Sequence, residues 1–167
     1  NIMLEVSTKE MVLWSYVGLS SGDLISGILS QWFQSRKKVI LFNLISIFVV
    51  MTLYLYGPVG TANYYRILAT ILGMATGYWA LFVTNASEQF GTNIRSTVTA
   101  TVPNFVRGGV LLITWGYEYF ESALKSISNH YTLHSAYLVG IICLVIAIWG
   151  TLRVEESFHK DLDYYES

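Results

Sequence analysis

The sequence predicts an all-α protein, a polytopic membrane bundle of about five transmembrane helices. Three observations lead there. The 167 residues are 53% hydrophobic and only 13% charged, about half the charge of an ordinary soluble domain. Mean hydropathy is +0.48. Five segments also approach the ~20 apolar residues that a helix needs to cross a bilayer. Each is expected to be helical, because a backbone in lipid must satisfy its polar groups within its own segment.

The first segment, 11–33, is broken only by Asp23. The second, 39–56, has no charge. The third covers 64–87, with Arg66 at its start. The fourth, 97–120, holds Arg107 inside and Glu118 near its end. The fifth, 133–152, is uncharged, and 153–167 form a tail. A soluble bundle would show polar faces at helical spacing; the second and fifth segments show none.

Basic residues set the orientation. Ends carrying Arg36, Lys37, Lys38, Arg95, Arg153 and Lys160 alternate with ends carrying Lys9, Arg66 and Lys125. The positive-inside rule places the first set, and the tail, in the cytoplasm. Trp14, Tyr54, Tyr56, Tyr64, Tyr65, Tyr117, Tyr119, Tyr131 and Tyr137 then fall toward the outer boundary. An external N-terminus without a cleavable signal peptide is hard to insert, so at least one helix is expected upstream of Asn1.

Composition excludes several function classes. Ten basic and eleven acidic residues give no field for nucleic acid. The single cysteine, Cys143, permits no internal disulfide. His130 and His134 stand at i, i+4 without the glutamate of a metalloprotease helix, and no nucleotide-binding loop or nucleophile elbow occurs. No enzyme, cofactor or metal is expected.

The residues singled out are those that sit badly in lipid. In the first segment Ser15, Gly18, Gly22, Ser26 and Ser30 recur at three- and four-residue steps, a small-residue stripe that lets another helix approach closely; Gly73 and Gly77 repeat it in the third. That contact can be static packing or a sliding surface. Asp23 lies at mid-helix, where a charge costs roughly 2.5–3.5 kcal/mol by insertion scales. It is a candidate for proton coupling, or an acid joining helices with Ser20 as a local partner. Arg107 is similarly deep beside Asn104, four residues after a bend expected at Pro103. It can pair with an acid, Asp23 among the possibilities, or read an anionic substrate. Trp79 and Asn85 are candidates for a polar cavity, with core or lipid-facing roles as the alternative. Glu88 and Arg95 bracket the turn "EQFGTNIR". With Arg36, Lys37, Glu155 and Glu156 they can form a cytoplasmic latch, or simply be solvated loop charges.

Three ordered stretches carry a family resemblance. "GDLISGILSQWFQSRKKVI" resembles the glycine-then-basic loop motif of the major facilitator superfamily at its second copy. "EQFGTNIRSTVTATVPNFVRGG" is similar to the region joining the tenth and eleventh helices of metabolite and sugar porters in that superfamily, and "VEESFHKDLDYYE" to the stretch after the twelfth. Gly22, Asp23, Gly27, Ser30, Arg36, Lys37, Glu88, Arg95, Arg107 and Glu156 stand at matching positions. Gln31, Trp32 and Gln34 replace the usual Asp, Arg and Gly, and Gly91 replaces a proline.

The resemblance implies helices eight to twelve of a twelve-helix transporter, a partial C-terminal half whose N-terminal half is not in this sequence. It further implies a multi-pass protein of the bacterial inner membrane that carries a small polar metabolite, such as a sugar or organic acid, with H+ by alternating access. The cytoplasmic charges would then form a gating network. A non-transporting membrane subunit or sensor on the same scaffold is the alternative.

Overall fold

The computed structural model describes residues 7–58, 60–158, 163 and 165, and every regular element among them is an α-helix. In chain order these are α1 (Thr8–Phe33), α2 (Arg36–Tyr56), α3 (Ala62–Thr76), α4 (Trp79–Ser87), α5 (Thr92–Leu124) and α6 (Tyr131–Arg153). Lys160, one of the residues that set the expected orientation, lies outside the described residues.

Four stretches are long and apolar enough to cross a membrane: α1, α2, the consecutive pair α3–α4, and α6. This is the make-up of a multi-pass integral membrane protein. Hydroxyl groups within them are accommodated by bonding back to the preceding turn of their own helix. Ser46 donates to the Phe42 carbonyl at 2.8 Å and Thr52 to that of Phe48 at 2.8 Å. The fourth expected span differs. At 33 residues α5 is longer than a bilayer crossing requires, but it is less apolar than the other four and none of its residues is buried. It begins at Thr92, just after Gly91, and continues through Pro103.

The described residues form two compact units. The first takes in residues up to Phe82 together with Glu156–Phe158; the second runs from Val83 to Glu155. In the first, α1 packs along α3, and α2 lies against both. The reason α1 and α3 meet backbone to backbone is reciprocal. A Cβ on Gly18 would stand 2.0 Å from the Thr70 carbonyl oxygen, and one on Gly73 would stand 2.1 Å from that of Ser15. The small-residue stripe is therefore this contact. At the end of the pair expected to face outward, Arg66 bonds Glu10 at 2.7 Å and the Asn63 side chain at 2.8 Å. Tyr65 meets both Tyr54 and Tyr64 edge-on at the same end.

The α1–α2 connection is tight. Gln34 ends α1 in the left-handed region at φ 48°, and Ser35 caps α2 by accepting from the Lys38 amide at 3.2 Å. In the second unit α5 packs against α6. Glu121 there accepts from the Tyr117 and Thr132 hydroxyls at 3.5 and 3.4 Å.

Candidate functional site

The third expected span, 64–87, is not one helix. It breaks at Gly77, whose backbone (φ −76°, ψ 64°) is the centre of an inverse γ-turn. The turn is closed by the Tyr78 amide on the Thr76 carbonyl at 2.9 Å. A break of this kind frees carbonyls at the end of α3 and amides at the start of α4. In lipid each freed group needs a partner from elsewhere.

One turn of α1 supplies both. The Ser26 hydroxyl donates to the Gly77 carbonyl at 2.7 Å. The Asp23 carboxylate accepts from the Ala80 amide at 3.3 Å, in the first turn of α4. Asp23 thus has a backbone amide as its partner rather than the Ser20 hydroxyl. Asn43 on α2 completes the cluster, donating to the Ser26 hydroxyl at 3.1 Å and to its own Val39 carbonyl at 3.1 Å. Ser26 and Asn43 are 2% and 5% exposed, so this is a buried polar network. Asp23 itself is only half-buried.

Gly77 is needed here for space. A Cβ there would lie 2.6 Å from the Asp23 nitrogen, the Gly22 α-carbon and the Leu19 oxygen. The break is therefore pressed against the backbone of α1 at the acid. An anionic side chain at the start of a helix is also favoured by the helix dipole. What this arrangement does is set a carboxylate of α1 against a backbone amide in the first turn of α4.

A second acid is placed with similar economy. The Glu156 carboxylate receives the Ser35 hydroxyl, the Arg36 amide at 3.1 Å and the Lys37 amide at 3.2 Å. It also receives the amides of Ser157 and Phe158 at 3.2 and 3.3 Å. The contact sequence reasoning expected between Glu156 and the basic loop thus includes the backbone at the start of α2. Burial pushes the Glu156 carboxyl up. The Ser35 hydroxyl and the Arg36, Lys37 and Phe158 amides more than offset that, leaving it below its ordinary 4.5.

A depressed carboxyl stabilises the fold above its unfolded-state value and loses that contribution as pH falls through its folded value. Glu156→Ala is expected to cost about 1 kcal/mol at neutral pH, the usual worth of a helix cap, with the charge part reduced by solvent. Thermal unfolding in detergent should show the gap between variant and wild type narrowing below pH 4.5. A gap constant with pH would contradict the assignment.

The other candidates have different partners. Arg107, exposed on α5, donates to the Asn104 side chain one turn earlier at 3.1 Å, and Asn104 donates to the Ala100 carbonyl at 3.4 Å. Asp23 and Arg107 belong to different units, each with its own partner. Trp79 is 41% exposed, its ring 6.0 Å from that of Phe82. Asn85 is 5% exposed, and its carbonyl accepts from Gln89 at 3.3 Å. Glu88, also buried, and Arg95 lie in the second unit, where Arg95 donates to the Phe90 carbonyl at 3.1 Å.

Sequence reasoning missed Asn43 and Ser35, and placed Ser26 on a helix-contact stripe, static or sliding, without its hydrogen bonds. The signal for Asn43 was present, a lone amide in an uncharged apolar run. Among the described residues no group of three or more His, Cys, Asp or Glu could hold a metal. Comparison with protein-family models, curated proteins and solved structures finds no match for this chain.

Proposed function

We propose that the chain is the C-terminal part of a secondary active transporter of the major facilitator type, moving a small polar metabolite, a sugar or organic acid, together with H+. The observation that carries this reading is the interrupted third span, with Asp23 and Ser26 of α1 meeting its freed backbone groups. Transporters place solute and ion sites at discontinuous helices near the bilayer midplane.

In this reading Asp23 exchanges the proton. Arg107, Asn104, Trp79 and Asn85 are the candidates for contact with solute once the N-terminal half is present. Glu156 docked at the start of α2 is one cytoplasmic clamp of the alternating-access cycle, and Glu88 and Arg95 are gating candidates within their own unit. The protein then sits in a bacterial inner membrane with Asn1 outside and Ser167 inside.

The test is reconstitution of the complete protein, this chain with its N-terminal half, into lipid vesicles loaded with a pH-sensitive dye. Radiolabelled hexoses, pentoses and small mono- and dicarboxylates are offered one at a time. Saturable uptake of one class, with stoichiometric proton entry, is the expected result. Vesicles that take up none of them and show no solute-dependent proton movement would favour a non-transporting membrane subunit or sensor.

A further inference from the structure

We propose that Asp23 and Ser26 form a two-sided fastening of the broken span, in which the Ser26 side is fixed and the Asp23 side is released by a proton. The inference deepens the reading above and rests on it for the proton's role in transport. The two sides differ in chemistry. On the α3 side, Asn43 donates to Ser26, which donates to the Gly77 carbonyl. Both are bonds between uncharged groups, buried, and indifferent to pH. On the α4 side a half-buried carboxylate accepts from the Ala80 amide. With the carboxylate ionised that bond is charge-assisted and stronger than its neutral counterpart, although it is long at 3.3 Å.

When Asp23 takes a proton from water, the negative charge is lost, one oxygen becomes a hydroxyl, and the bond from Ala80 falls to neutral strength. The favourable interaction with the start of α4 goes with it. Returning the proton to water restores both. With Gly77 held by Ser26, the loosened element is the first turn of α4, pivoting at the γ-turn.

Other charged groups on helices packed against α1 stand at helix ends. Arg66 of α3 is engaged with Glu10, and Arg36, Lys37 and Lys38 begin α2. Tyr78 is the other titratable residue at the break itself. Ala80→Pro offers a variant that removes the donor while leaving the acid, and proline is tolerated in the first turn of a helix.

The test is hydrogen exchange of the full chain in lipid nanodiscs over a pH series, read on the backbone amides from Tyr78 to Phe82 and corrected for intrinsic rates. In the wild type, acidification is expected to raise exchange there about fivefold, the equivalent of losing one helix cap. Asp23→Asn, whose amide oxygen still accepts but does not titrate, and Ala80→Pro should each give a pH-independent rate. Ser26→Ala should raise exchange at every pH without altering the pH response.

A flat wild-type profile, or the same acid response in Asp23→Asn or Ala80→Pro, overturns the proposal. If proton-driven uptake persists alongside a flat profile, the fastening is wrong and the transport reading stands. An acid response that needs Asp23, in a protein that moves no solute, supports the fastening and overturns the transport reading.

Discussion

A single methyl group added at Gly73 is expected to destabilise the first unit by about 3 kcal/mol, the upper end of the usual cost of overpacking. The new Cβ would stand 2.1 Å from the Ser15 carbonyl oxygen and 2.9 Å from its carbon. Both are backbone atoms of α1, so no rotamer change relieves the clash; the helices themselves must separate. In lipid this matters more than in water, because association of helices rests on close packing rather than on a hydrophobic drive. Separation also pulls Ser26 from Gly77 and Asp23 from Ala80, two bonds that need the present approach. Gly27→Ala is the control. Nothing lies within 4 Å of a Cβ there, so the exchange should be neutral or stabilise by about 0.5–1 kcal/mol through helix propensity. Unfolding of both variants in mixed detergent micelles separates the cases. Equal stabilities would show that the approach of α1 to α3 is looser than described.

Ser26→Ala should cost about 2 kcal/mol, within the range for stranding a buried polar group. Side-chain hydrogen bonds between membrane helices average only ~0.6 kcal/mol, because the separated helices find other partners. The Gly77 carbonyl is different. It sits beyond the end of α3, and no later turn of that helix supplies a donor. Asn43→Ala should cost less, about 1 kcal/mol, since Ser26 keeps its bond to Gly77 and only the donor to Ser26 is lost. The double variant should cost less than the sum of the two, as expected for residues in one network. Strict additivity would place Asn43 outside it.

Much of the fold was legible in the sequence. Low charge and five apolar segments indicated membrane-crossing helices, of which four are long and apolar enough to cross. The small-residue stripe of Gly18, Gly22 and Ser26 marked a face open to close approach, which α3 takes. Boundaries shifted where polar residues form helix without adding hydrophobicity. Arg36, Lys37 and Lys38 open α2 because Ser35 and Glu156 cap it, and Thr92–Ser96 extend α5.

The break in the third span was not legible, because hydropathy is continuous through Gly77 and Tyr78. Its trace lay in another segment, in the otherwise costly Asp23. Conversely, an acid in α1 could not be assigned a partner until α4 was known to begin at Trp79. Gln34 shows the same limit. It stands where the resembled motif has glycine, and it carries the one positive φ of any non-glycine residue among those described. The backbone need is visible in the structure, whereas the residue type concealed it.

The central claim is that Asp23 couples a proton to solute movement at the broken span. It is tested most directly by comparing two modes of transport in vesicles containing the complete protein, wild type and Asp23→Asn. The account predicts that the variant still exchanges labelled for unlabelled solute across the membrane at near wild-type rate, yet no longer accumulates it when the outside is made acid. Accumulation by Asp23→Asn to the wild-type level, driven by the same gradient, would contradict it.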